Sequence, residues 1–389
     1  MSSSAVEQLQ NLLKDTPSDE NERRDIYGAA VKLMYQVETP QDTQQRLYHG
    51  TGIDLNLFKF LDENKGNAFS QKELADITGA EPALLYRLLR FYAAHGMINQ
   101  VDQDTYGASN ITHNLALPGT AAGIKHYSLT MTPAYQAIPK YLAKNSYKNP
   151  TDSTKTPFNM AYNTELPVFK WREQNPENYK VGQAFMAAQR IGQRSVWDGL
   201  VPLDDFKMKQ EDIDNDRVML CDVGGGSGHQ CVEFRKYQPD MKGRIVTEDL
   251  FSVQNLAKNR EELNKLNIEM VPHNFMQEQP VQGAKVYYLR NVIHNWNDEP
   301  SKVILGSVAK AVAADSVVIV DDVVMPQVGA SWKQSSMDLA MMTMLAAVER
   351  TENHFAQLLQ ESGLKLRNVV TYDKDYGDSF IIAVPADAS

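Results

Sequence analysis

The chain has 389 residues, 42% of them hydrophobic and 23% charged, and a net charge of -10. That length supports more than one domain and a sizeable core, and the acidic balance repels a phosphate backbone, which argues against a nucleic-acid partner. Its two cysteines, Cys221 and Cys231, suit neither a disulfide scaffold nor a zinc cluster, and no stretch reaches the ~18 apolar residues of a membrane span; a cytoplasmic protein without membrane contact or bound metal, taking a small molecule as its partner, is expected.

The first fifty residues read as polar helices, with Ala29, Leu33 and Met34 giving a short apolar face before Pro40. Packing or contact with a second copy is their expected role. Ser70 and Glu73 have capping-box spacing, Gly79 follows as a helix stop, and EPALLYRLLRFYAAHGMI is a second strong helix ended by Gly96. With the short strands around Met97 to Tyr106 these make a winged helix-turn-helix. Arg87 and Arg90 on the second helix invite a DNA-binding reading, but the wing, NQVDQDTYG, carries two aspartates and no basic residue, so dimerisation is expected instead. Residues 108–200 look helical, with loops at Pro118 and across YKNPTDSTKTPFN. The C-terminal half alternates RVMLCDV, GRIVTEDL, IEMVPHN, KVYYLRNV and DSVVIVDDVVM with helical stretches, which predicts an α/β fold with a doubly wound, mainly parallel sheet. The last stretch reads as two adjacent strands joined around Gly377, an antiparallel addition at the sheet edge.

Directly after RVMLCDV stand Gly224, Gly225, Gly226, Ser227 and Gly228, where an open sheet holds a nucleotide against a helix N-terminus. His229 occupies the place of the third glycine of the NAD fingerprint, which is therefore incomplete. The next strand ends in Glu248 and Asp249, where a carboxylate can accept both ribose hydroxyls. The third ends in HNF, whose Asn274 and Phe275 are suited to bond and stack on an adenine.

Over nearly its whole length the sequence resembles the plant and microbial small-molecule O-methyltransferases that include caffeic acid O-methyltransferase. CDVGGGSG is similar to the family's cofactor loop, EDL to its ribose acid, HNF to its adenine segment and YYLRNVIHNWNDE to its most specific signature. The resemblance implies a Rossmann-like class I methyltransferase domain at 201–389, a helical connector lining the substrate pocket at 111–200, and a helical winged-helix dimerisation domain at 1–110 that forms a homodimer. It implies S-adenosyl-L-methionine as cofactor, held by Asp222, Gly224, Gly226, Asp249, Asn274, Phe275 and Arg290. His294 matches the general base, with Asp322 and Glu349 as acids that flank it and orient its imidazole. His126, Phe185, Met186, Asn295 and Met341 are expected on the acceptor side. Three positions depart from the family pattern: Asn274 and Asn295 stand where Asp is usual, and Asp322 is one methylene shorter than the usual Glu.

Methyl transfer to a hydroxyl needs a sulfonium carbon held in line, a nearby acceptor oxygen and a destination for the proton, which a histidine with a pKa near working pH supplies. The expected activity is O-methylation of a small phenolic or polyketide-type metabolite. Met337, Met341, Met342 and Met344 crowd one segment, where adaptable thioethers suit either a hydrophobic acceptor or the core. The alternative activity comes from pericyclases that resemble this family and accelerate dehydration or cycloaddition without methyl transfer. They depart at the base motif and bring a basic side chain and a histidine from the middle helices to a carbonyl. GIKHYSLTM places Lys125 and His126 in that region, whereas the retained His294 favours methyl transfer.

Overall fold

The computed structural model describes residues 6–9, 11, 19–40, 42–43, 50–188, 195–201, 203, 207–250 and 260–387; most of the polar helices expected before residue 19, and His49, lie outside that set. The chain packs as two compact units, residues 1–132 with 172–191 and residues 133–171 with 192–389. The stretch expected as a connector, 111–200, contributes to both.

In the first unit, α1 (Glu20–Val37) precedes β1 (Ala68–Ser70), α2 (Gln71–Thr78), α3 (Pro82–Ala94), β2 (Ile98–Asp102) and β3 (Thr105–Ala108). The capping box forms: the Ser70 hydroxyl accepts from the Glu73 N–H, and the Glu73 carboxylate accepts from the Ser70 N–H at 2.8 Å. Gly79 ends α2 at φ 67°. Leu57, Leu61, Leu74, Leu85, Leu89 and Tyr92 bury the apolar faces together, and β1, β3 and β2 pair as a three-stranded antiparallel wing. Helix α1 packs differently from its expected face. Leu33 and Met34 are exposed, while Tyr35 lies over Gly96, where a Cβ would overlap its ring. The Asn110 amide donates to the carbonyls of Tyr35 and Glu38, and this grip on the C-terminal end of α1 turns Tyr35 inward. Next come α4 (Asn110–Ala116) and α5 (Pro118–His126), the latter running into a π-helical turn at Tyr127–Met131. Helix α6 (Pro176–Ala188) packs against α5.

The second unit is built on β4 (Val218–Val223), α7 (His229–Tyr237), β5 (Arg244–Asp249), β6 (Ile268–Pro272), β7 (Val286–Arg290), α8 (Asp298–Ala311), β8 (Val317–Met325), α9 (Trp332–Leu345), β9 (Arg350–Thr351), α10 (Glu352–Glu361), β10 (Leu364–Asp373) and β11 (Asp378–Pro385). The sheet order is β10-β11-β8-β7-β4-β5-β6, with the short β9 beside β8. From β6 to β8 the pairs are parallel; β11 runs antiparallel to both β8 and β10, the expected antiparallel addition. Strand residues alternate between two cores: Tyr287 and Leu289 join Ile304 and Phe355 of the covering helices, while Val286 and Tyr288 join Trp197 and Phe234 on the other face. Strand β4 connects onward to β5 on one side and its neighbour β7 to β8 on the other, so the connections leave the C-terminal ends of these adjacent strands in opposite directions and open a crevice there. Among the described residues no helix is long and apolar enough to cross a membrane.

Candidate active site

Strand β4 delivers the glycine loop to that crevice. Gly224, Gly226 and Gly228 have φ of 74°, 62° and 77°, the left-handed region that side chains resist. A Cβ at Gly225 would collide with the Asp222 carboxylate and the Thr247 hydroxyl, whereas one at Gly226 meets nothing within 4 Å, so Gly226 borders open space. The Gly225 N–H donates to the Glu248 carbonyl at 2.9 Å, and the Gly226 N–H to Asp249 Oδ2 at 2.9 Å. Asp249 Oδ1 accepts from the Leu250 N–H at 2.7 Å, so each oxygen keeps a lone pair for a further donor. Burial raises the Asp249 carboxyl despite those two N–H groups. Asp222 lies beneath the loop, 3.6 Å from Cys231 Sγ, and burial pushes its carboxyl up to about 7. It supports the loop from below. Both cysteines are free and buried.

Asn274 is exposed, and its Oδ1 accepts from the Met276 N–H at 3.1 Å, which leaves that oxygen one lone pair for a further donor. Phe275 sits edge-on to Trp296, with centroids 6.0 Å apart, and lies against Gly224. Arg290 ends β7 beside Asp321 of β8, its Nε 3.4 Å from Asp321 Oδ2. Burial opposes its charge, and Tyr288 and Asp321 outweigh that and hold the guanidinium above its ordinary value. Its Nη2 is buried and has no hydrogen-bond partner among the described residues.

One residue beyond the end of the same strand's loop, the 3₁₀ turn Ile293–Asn295 presents His294. Nδ1 lies 2.9 Å from Glu349 Oε1, which leaves Nε2 as the ring nitrogen open to a reacting group. Asp322 is not hydrogen-bonded to the ring: its Oδ2 accepts from the His294 backbone N–H at 3.1 Å, and its Oδ1 is buried without a partner among the described residues. Lacking one methylene of the family's Glu, it fixes the backbone rather than orienting the imidazole. Burial disfavours the imidazolium, yet the carboxylates of Glu349 and Asp322 outweigh it and raise His294 to about 9. Burial pushes Asp322 to about 7, with the His294 charge pulling the other way. Glu349 is itself held by Asp338, which accepts its backbone N–H at 2.9 Å. Asn295 donates its amide to the Asn291 carbonyl at 2.6 Å, pinning Asn291 at φ 51°. Of the methionines on α9, Met344 joins the core, while Met337, Met341 and Met342 stay half-buried.

The other expected acceptor-side residues belong to the first unit. His126, 3% exposed, stacks on Phe185 at 4.9 Å and 21°, with Arg172 Nη2 3.4 Å from its Nε2. Burial, helped by Arg172, pushes His126 down to about 3, so its imidazole is neutral, and its buried Nδ1 has no partner among the described residues. Met186, next in sequence to Phe185, is exposed. Lys125 pairs with Asp54. Asp321, Asp338 and Arg350 escaped the sequence reading, which named Gly225 only as part of the glycine run.

The family model for the O-methyltransferase domain matches residues 150–365. The chain belongs to the O-methyltransferase domain family. It is 33% identical over 376 residues to O-methyltransferase lepI of Aspergillus flavus, covering 94% of each protein. It is 31% identical to the demethylsterigmatocystin 6-O-methyltransferase of Aspergillus parasiticus, covering 95% of this chain and 94% of that one. Among solved structures it is similar to LepI in complex with SAM (TM-score 0.79) and to a LepI variant in complex with SAH and a substrate analogue (TM-score 0.80), each 32% identical over 99% of both chains. A structure of a pericyclic reaction enzyme matches equally, at 32% identity, TM-score 0.79 and 99% of both chains. The sheet of this O-methyltransferase-family chain is accordingly a class I methyltransferase sheet, five parallel strands followed by antiparallel β11.

Proposed function

We propose that this chain is an S-adenosylmethionine-dependent O-methyltransferase acting on the hydroxyl of a small phenolic or polyketide-type molecule, with His294 as general base. The observation that carries the reading is His294 at the C-terminal edge of the sheet, its Nδ1 on the buried Glu349 and its Nε2 left for an acceptor. The residues around the crevice fit the cofactor: open space at Gly226, unused lone pairs on Asp249 and an unused donor on the buried Arg290. Asp249 would hold the ribose, Phe275 and the Asn274 amide the adenine, and Gly224, Gly226 and Arg290 the rest, with Asp222 supporting the loop. When bound, S-adenosylmethionine supplies an electrophilic methyl group.

His294 Nε2 takes the acceptor's hydroxyl proton, and the Glu349 carboxylate stabilises the imidazolium that results. Asp322 and Asn295 keep the turn from moving as charge develops, since the one grips the His294 backbone and the other the preceding loop. Met341 serves the acceptor, and residues 1–110 serve dimerisation, consistent with the exposed Tyr27, Leu33, Met34 and Val37 on α1. The test uses purified protein, methyl-labelled S-adenosylmethionine and a panel of phenolic and polyketide-like acceptors. S-adenosylhomocysteine should form with the wild type and fall by about 100-fold or more in His294→Ala, the scale of a lost general base. Turnover that survives the substitution would remove His294 from the role.

A second reading rests on His126. A neutral, buried imidazole with an unspent nitrogen beside a guanidinium suits polarisation of a carbonyl, the need of a pericyclase, and LepI, to which the chain is similar, is described as an O-methyltransferase while a matching structure is a pericyclic reaction enzyme. Under this reading a polyketide-type substrate cyclises or dehydrates unmethylated, His126→Ala abolishes that conversion, and His294→Ala leaves it in place.

A further inference from the structure

Beyond Glu349 and Asp322, two fully buried side chains grip the segment that carries His294: Ser301 Oγ lies 3.5 Å from the Ile293 carbonyl and 3.4 Å from that of Trp296, and Arg350 holds both at shorter range. Arg350, next in sequence to Glu349, donates from Nη1 to the Ile293 carbonyl at 3.2 Å and from Nη2 to the Trp296 carbonyl at 2.8 Å. Its Nε and Nη2 both reach Asp298 Oδ1, at 3.0 and 2.8 Å, and Nη2 also lies 3.2 Å from Ser301 Oγ. Its side chain is 0% exposed. The second oxygen of Asp298 meets His354 Nε2 at 2.8 Å, so the carboxylate is shared between the buried guanidinium and a half-exposed imidazole. Burial by itself would raise the Asp298 carboxyl; hydrogen bonds from His354 and Arg350 prevail and hold it below its usual value.

The geometry points to Arg350, Asp298 and His354 as a positioning clamp that sets where the His294 imidazole meets Glu349. This rests on the reading of His294 as the general base. The physical case is one of register. Glu349, immediately before β9, stands against the ring, and Arg350, the first residue of β9, reaches the carbonyls that flank His294, so two consecutive residues fix both the imidazole and its backbone. A planar guanidinium suits this because its fixed fork satisfies several acceptors at once, whereas an ammonium offers no such geometry. The carbonyls of Ile293 and Trp296 flank His294 by one and two residues. Releasing them lets the turn rotate without unfolding the strand.

The clamp is tested on the whole protein by following the ring nitrogens of His294 during an NMR pH titration, with His294→Gln used to assign the signal. In wild type the midpoint should stand well above the ordinary 6.5 of a free imidazole. In Asp298→Asn and Arg350→Lys the midpoint should fall toward that value, because the ring loses its register with Glu349, while circular dichroism and S-adenosylhomocysteine affinity stay within about twofold of wild type. His354→Gln, at the half-exposed end, should fold normally and give a smaller fall in the same direction. If the reaction is methyl transfer, kcat drops by about 100-fold at unchanged KM in Asp298→Asn, the scale of a misplaced catalytic group. A His294 midpoint that stays at its wild-type value in folded Asp298→Asn and His354→Gln overturns the clamp. Because the titration needs neither acceptor nor turnover, that failure is distinct from a failure of the methyltransferase reading, which would show as no product from wild type.

Discussion

Under the proposed methyl transfer His294 must be neutral to take a proton, although two carboxylates favour its charged form. The imidazole with a neutral phenol and the imidazolium with a phenolate carry the same number of protons, so both arrangements share one pH dependence. With His294 raised to about 9, kcat/KM should climb as pH rises toward that value rather than level off near 7. Glu349→Gln removes the strongest support for the charge, so the rising limb should shift to lower pH while the plateau falls by about 100-fold or more, as when a triad loses its orienting acid. A limb that keeps its position in the variant would mean Glu349 does not set the base. At this scale the sequence pointed to His294 through YYLRNVIHNWNDE, and to Asp322 and Glu349 through the separate segments IVDDVVMP and VERTENHF. It did not show that Asp322 binds the His294 backbone, because a side chain's partner there depends on a backbone position contributed by a distant segment.

At the scale of elements the glycine loop separates two kinds of constraint. Gly225 lacks room, since a Cβ there meets Asp222 and Thr247, whereas Gly226 has room but sits at φ 62°. Gly225→Ala should therefore cost about 1–3 kcal/mol of stability by overpacking, read from the thermal midpoint. Gly226→Ala should cost about 1 kcal/mol or slightly more for its backbone, yet weaken S-adenosylhomocysteine binding by about tenfold in calorimetry because its methyl enters the space left for the ligand. Unchanged affinity in Gly226→Ala would place the ligand elsewhere. The strands, the capping box and the loop itself were legible from residue pattern, since apolar runs bounded by Gly and polar turns report local burial directly. The apolar face of α1 was not: Ala29, Leu33 and Met34 have helical spacing, but Asn110 holds the helix by its carbonyls and brings Tyr35 inward.

For the whole molecule, the carboxyls buried at the ends of the parallel strands link stability to pH. Asp222 and Glu248 are both pushed up to about 7 by burial, so the native state holds their protons more tightly than the unfolded chain does. That contribution is complete below about pH 4 and is lost as pH rises through 7; His294, raised to about 9, extends the same trend upward. Urea midpoints of the ligand-free protein should decline from pH 5 to 9, and Asp222→Asn should flatten the part of the decline below pH 7.5; an equally steep slope in the variant would clear Asp222 of the effect. By itself the sequence determined the strand succession, the glycine loop and the acid that follows it, because each is written in contiguous residues whose periodicity or spacing has a local physical cause, and the segment around His294 was legible as a contiguous family resemblance. Only the tertiary structure decided that Glu349, 55 positions from His294, meets its ring, that Arg350 stitches the turn from below, and that His126 forms a neutral stack in the other unit. Those contacts depend on strand order and register, which arise when a long chain closes on itself and which no local pattern encodes.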